Sequence, residues 1–149
     1  MIGMIMPVES NPYKLTPTLE KRYQQFAKID DKTKRFERII QLGKKLAPYD
    51  DEYKTEEHQV KGCASLTYIR GEVRDELVYY FGWSNSHLVL GLLALLVEGM
   101  SGYSPEAILE IDAGFIEGMG LSQTLTASRA NGFMNTFGMM QNIAKKVKG

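Results

Sequence analysis

An α+β fold is predicted for this 149-residue chain, and three observations predict it. Apolar residues recur at spacings of three and four before Pro48 and again after His87, the period of an amphipathic or buried helix. Between them, from about Leu66 to Trp83, the period drops to two and aromatic and β-branched residues crowd together. The order is helices, then a small antiparallel sheet of about three strands, then helices. Strands and helices are therefore segregated rather than alternating. A chain of this length forms one domain and buries roughly two-thirds of its unfolded surface, so its core needs neither a disulfide nor a metal.

Residues 1–15 carry Pro7 and Pro12 and no clear period, and are expected to form a flexible N-terminal tail before a single domain at 16–149. Thr16-Pro17 is a helix start, with the hydroxyl as cap and proline at the first helical position. That helix should run to about Ile29, with Leu19, Tyr23, Phe26 and Ala27 facing inward. Asp30-Asp31 punctuates the chain and caps a second helix. Its inward residues are Phe36, Ile39, Ile40, Gly43 and Leu46, and Pro48 ends it. The polar, acidic stretch "YDDEYKTEEHQ", residues 49–59, reads as an exposed connector.

After Cys63, Leu66, Tyr68 and Arg70 alternate with Thr67 and Ile69, Gly71 opens a turn, and "ELVYYFGW" completes a hairpin. Residues around His58 to Val60 supply a short third strand. "HLVLGLLALLVEGM", from His87, is apolar on nearly every side and belongs in the core. Ser104-Pro105-Glu106 caps a further helix that ends near Ile111. Gly114, Gly118 and Gly120 break up the next segment, and Thr126 begins a last helix carrying Phe133, Met134, Phe137, Met140, Ile143 and Val147.

Composition narrows the function. Eighteen basic and eighteen acidic residues give a formal charge of zero, without the overall pull toward nucleic acid of a basic protein. The longest apolar run, Leu88 to Val97, is about half a membrane span, and no basic n-region or Arg-rich leader opens the sequence. One cysteine makes no internal disulfide and suits a reducing, cytoplasmic setting. With two histidines it is too little for a Cys/His metal site, so none is expected. No Gly-rich nucleotide loop and no C-x-x-C pair are present.

Cys63 in "VKGCASL" therefore carries the question. A free cysteine often serves as a small buried hydrophobe. Yet Gly62, Ala64 and Ser65 are small enough to admit another molecule's backbone, and Lys61 offers a positive charge beside the thiol. Composition and spacing leave both readings open. His58 or His87 as a general base would make a Cys–His hydrolase, although the spacing supports neither. Arg129, in "SRANG", sits at a helix start, where a cation is disfavoured unless it has a specific partner.

Three stretches, "RFERIIQLGKKLAPYDDEYKTEEHQVKGCASLTYI", "GLLALLVEGMSGYSPEAIL" and "LTASRANGFMNTF", resemble the SufE family of sulfur acceptors, most of all its cyanobacterial and plastid members. A G-C-x-S loop, a G-L-x-A-L-L helix and an S-R-x-N-G segment occur in the family's order and at its distances. The resemblance implies a fold shared with SufE and the IscU-type scaffolds. It implies that Cys63 accepts sulfur as a transient persulfide from a SufS-type cysteine desulfurase, whose pyridoxal phosphate belongs to that partner, and stimulates it. The sulfur would pass to a SufBCD-like iron–sulfur scaffold. No cofactor or metal is expected on this chain, which would act as a monomer or weak homodimer and as a transfer partner rather than an ordinary enzyme. By the same resemblance Gly62, Ala64 and Ser65 form the loop, and Arg129, Asn131 and Gly132 support it.

The chain departs from the family where many members carry D-S-D or D-S-E after the last strand. Here the residues are Trp83-Ser84-Asn85, followed by Ser86-His87. Leu90 replaces a frequent lysine and Ala127 a frequent proline. These replacements motivate an alternative, a desulfurase-binding module that has lost sulfur transfer.

Overall fold

The computed structural model describes residues 11–148. The expected tail falls largely outside them. Its last five residues, Asn11–Leu15, pack on the domain: Leu15 is buried, and Asp112 donates its backbone N–H to the carbonyl of Tyr13.

Helix α1, Pro17–Ala27, begins as its sequence dictates. The Thr16 hydroxyl accepts from the Leu19 N–H, and Pro17 takes the first helical position, where its missing N–H costs nothing. It buries Leu19 and Phe26, while Ala27 is exposed. Asp31 caps α2, Lys32–Gly43, through the N–H groups of Thr33 and Lys34. Phe36, expected inside, is 39% exposed. Arg35 is buried in its stead, with Nε donating to Thr124 Oγ1 and the guanidinium also reaching the Ile29 carbonyl. A helical period fits either face when both carry long side chains, and here the hydrogen bonds decide it.

The sheet has two strands where about three were expected. Strands β1, Thr67–Arg74, and β2, Leu77–Ser84, pair antiparallel with Thr67 opposite Ser84 and Arg74 opposite Leu77. The residues before Cys63 contribute only an isolated bridge, Gln59 to Tyr68, and one bond from the Val60 N–H to the Thr67 carbonyl. The chain then leaves the sheet at Gly62, whose φ of 75° no strand tolerates. Gly71 is not the turn. It lies inside β1 opposite Tyr80, where a β-carbon would meet Ile143 at 2.8 Å, and the two-residue turn is Asp75-Glu76, both at positive φ as a primed turn requires.

A lone hairpin is marginal in water. This one is covered on both faces. Inward, Thr67, Ile69, Val78, Tyr80 and Ser84 are buried under α3, His87–Met100, and α7, Ala127–Lys148. Outward, residues 49–58 cross it as two short 3-10 turns, Asp51–Tyr53 and Glu56–His58. Tyr49 stacks on Tyr68, Lys54 sits over the Trp83 ring at 3.9 Å, and Arg70 lies between the rings of Tyr53 and Phe81. The connector is thus pinned by aromatic and cation–π contacts rather than merely solvated.

Helix α3 is the centre of the core and α2 crosses it closely. A β-carbon on Gly91 would fall 1.9 Å from the Ile39 carbonyl oxygen, so glycine there sets the helix separation. Three short helices, α4 (Pro105–Glu110), α5 (Phe115–Gly118) and α6 (Leu121–Thr124), fill the space before α7. Gly120, at φ 79°, breaks α5 from α6. Among the described residues no helix is long and apolar enough to cross a membrane.

Candidate functional site

Cys63 lies on the loop between Val60 and β1, half-buried, where that loop meets the first turns of α3 and α7. It lines a narrow, partly open cleft whose other walls are Ala64, Ser65, Val89, Leu92, Leu93, Arg129, Gly132, Phe133 and Thr136. Most of this lining is apolar. Arg129 is its one charged side chain.

Local sequence explains the placement. The positive φ of Gly62 turns the loop out of the sheet, and the side-chain amide of Asn135 on α7 donates to the Lys61 carbonyl at 3.2 Å. On the other side Asn85 fixes the loop's exit. Its Oδ1 accepts from the Leu66 N–H at 3.2 Å, and its own N–H reaches the Leu66 carbonyl. Gly132 then lets α7 approach: a β-carbon there would stand 3.2 Å from the Cys63 sulfur.

Beneath the thiol is a small polar network. Cys63 Sγ lies 3.4 Å from Thr67 Oγ1, which is fully buried and also contacts the Ser65 carbonyl and Ser84 Oγ, each at 3.1 Å. Ser84 Oγ accepts from the Ser86 N–H, and Ser86 Oγ accepts from both Val89 N–H and Arg129, the latter at 3.0 Å. Arg129, whose placement at a helix start called for a partner, thus bridges the start of α7 to the cap of α3. Val89 and Arg129 each lie in the first turn of their helix, so the starts of α3 and α7 both border the cleft, their first-turn N–H groups capped by Ser86 and Thr126.

The structure brings Gly62, Ala64, Ser65, Arg129 and Gly132 together around Cys63. Asn131 it places elsewhere, exposed and outside the cleft lining; the amide that holds the loop belongs to Asn135, one turn on. Lys61 pairs with Glu56 at 3.7 Å instead of facing the thiol. His58 bonds Thr55 Oγ1 and meets the Tyr53 ring, and His87 is exposed, so neither lines the cleft and a Cys–His pair is not formed. Among the described residues no three His, Cys, Asp or Glu side chains gather as a metal site would require.

Sequence reasoning missed Thr67, Ser86, Asn135 and Thr136. The available signal was positional. Thr67 falls on the inward face of a strand, where a polar residue needs a partner, and Asn135 repeats the Asn131 position one helical turn later.

The chain is similar to several known proteins. Residues 20–144 match the family model described as SufE, Fe-S metabolism associated domain. A SufE-like protein of Synechocystis is 45% identical over 130 residues, covering 87% of this chain and 82% of its own. The cysteine desulfuration protein SufE of Plasmodium falciparum is 34% identical over 87% of this chain, which spans 54% of that longer protein. The solution structure of a hypothetical protein from Thermus thermophilus superposes with a TM-score of 0.78 at 25% identity, covering 89% of this chain and 97% of its own. With the matched model spanning most of the domain and a single cysteine set in a built cleft, the chain belongs to the SufE family.

Proposed function

We propose that this protein accepts sulfur on Cys63 from a SufS-type cysteine desulfurase, stimulates that enzyme, and hands the sulfur to an iron–sulfur scaffold of the SufBCD kind. One observation carries the reading: the chain's single thiol sits in a narrow, mostly apolar cleft that glycine keeps open beside it and whose one charged side chain is the cationic Arg129. The name of the Plasmodium relative, a cysteine desulfuration protein, supports the same reading.

The chemistry balances with one thiol. Cys63 as thiolate attacks the outer sulfur of the partner's cysteine persulfide, and a new S–S bond forms at Cys63. The partner's inner sulfur leaves as a thiolate, so no oxidant is consumed. A second cysteine nearby would attack the product and expel the sulfur, and this chain has none. The apolar walls shield the persulfide from stray oxidants. Pyridoxal phosphate does its work in the partner, and the acceptor needs no cofactor.

The alternative, a binding module without transfer, drew on the missing acids at Trp83-Ser84-Asn85. Ser84 and Asn85 instead hydrogen-bond Thr67 and Leu66, the residues that frame the cysteine loop. That favours a working loop. The test is desulfurase stimulation: sulfide release from free cysteine should rise several-fold with this protein and stay basal with Cys63→Ser. Equal stimulation by both would leave the binding module as the better account.

A further inference from the structure

We propose that Thr67 is a positioning residue for the sulfur-transfer step, its hydroxyl turning to donate a hydrogen bond to the Cys63 thiolate when that anion forms. The inference rests on the reading of Cys63 as the sulfur acceptor.

The geometry forces a choice on one proton. A threonine hydroxyl has a single hydrogen, and three acceptors surround this one: the Ser65 carbonyl, Ser84 Oγ and Cys63 Sγ. With Cys63 as a neutral thiol, S–H is a weak donor and sulfur a weak acceptor, so the Thr67 hydrogen goes to an oxygen and the thiol donates to Oγ1. Loss of the thiol proton reverses the order. A thiolate accepts far more strongly than a neutral carbonyl or hydroxyl, and the hydroxyl needs only to rotate about its C–O bond.

The neighbours tolerate that rotation. Ser84 Oγ keeps the Ser86 N–H as a donor, so it is not orphaned. Thr67 is itself fully buried, which keeps water from competing for its hydrogen. Few charges face the cleft from the packed elements. Helix α7 presents Arg129 to it, with one guanidinium N–H donating to Ser86 Oγ. Helix α3 presents only apolar side chains to the cleft, and its first residue, His87, is exposed and not part of the lining. On the connector, Lys61 faces Glu56.

The transfer step balances with this assistance. Cys63 gives up its proton to water and attacks the outer persulfide sulfur. The departing partner thiolate takes up an equivalent proton, and Thr67 returns its hydrogen to an oxygen once the charge has moved on.

The experiment compares wild type, Thr67→Val and Thr67→Ser in two assays. The first, alkylation of Cys63 by iodoacetamide across pH, needs no partner. Thr67→Val should react about ten-fold more slowly near pH 7, the effect of one hydrogen bond to a charged group, and the gap should close at alkaline pH where every thiol is ionised. Thr67→Ser should track wild type throughout. The second assay is persulfide transfer from the desulfurase, where the same order of variants should appear. Alkylation of Thr67→Val matching wild type at neutral pH, or a gap that persists unchanged at alkaline pH, overturns the proposal, the latter because it marks altered access. If wild type takes up no sulfur, the acceptor reading fails while the alkylation profile still judges Thr67.

Discussion

Gly132 on α7 lies directly against Cys63: a β-carbon at position 132 would stand 3.2 Å from the sulfur and 3.5 Å from the Cys63 α-carbon. Helix interiors disfavour glycine by about 0.5–1 kcal/mol relative to alanine, so its presence in a buried turn calls for a reason. The reason is the thiol, which occupies the volume that a side chain would fill.

Gly132→Ala therefore separates stability from transfer. The gain in helix propensity offsets the few tenths of an ångström by which the loop must give, and the change in unfolding free energy should stay within about 1 kcal/mol. Sulfur uptake should fall by roughly ten-fold, because small displacements of a reacting atom cost rate steeply. Parallel urea titrations and timed persulfide formation check both halves. Unimpaired uptake would show that the close approach is incidental.

The loop's tether to α7 is a side-chain bond from Asn135 Nδ2 to the Lys61 carbonyl. Because it is exposed, Asn135→Ala should cost global stability only about 0.5 kcal/mol. Its local effect should be larger: backbone amides of residues 61–66 should exchange with deuterium several-fold faster, while those of α3 are unaffected. Hydrogen-exchange mass spectrometry reads both regions at once, and uniform exchange across the chain would contradict a local tether.

Alkaline pH should probe the core through two tyrosines. Burial pushes the Tyr80 hydroxyl above its ordinary value of 10.0 and raises Tyr49 to about 12. A raised value means that the folded state holds the proton more tightly than the unfolded chain. The stabilisation is therefore complete below pH 10 and is lost as pH rises toward 12 and beyond. The urea midpoint should stay level below that range and decline within it. The double variant Tyr49→Phe/Tyr80→Phe should start lower, having lost the Tyr80 bond to the Met140 carbonyl, and then decline less steeply. Declines of equal slope would refute the assignment.

The sequence was informative wherever one residue type has one local use. Thr16-Pro17, Asp31 and Ser104-Pro105 announced helix starts, and each caps as expected. The hairpin was legible from its period of two, but its turn was not. Asp75-Glu76 adopts positive φ without glycine, while Gly71 is held in the strand by the approach of Ile143 on α7, a contact distant in sequence. The same distinction runs through the site. Cys63, Gly132 and Arg129, singled out by the family resemblance, meet at one cleft. Thr67 and Asn135 were not legible, because their roles exist only once β1 and α7 have been brought to the loop.

The central question is whether Cys63 carries sulfur. Intact-mass spectrometry of the protein after incubation with an active SufS-type desulfurase and free cysteine measures this directly. The expected result is a gain of one sulfur atom, located on the peptide containing Cys63, removed by reductant and absent from Cys63→Ser. An unmodified mass beside a desulfurase that is turning over cysteine, or an equal adduct on Cys63→Ser, would contradict it.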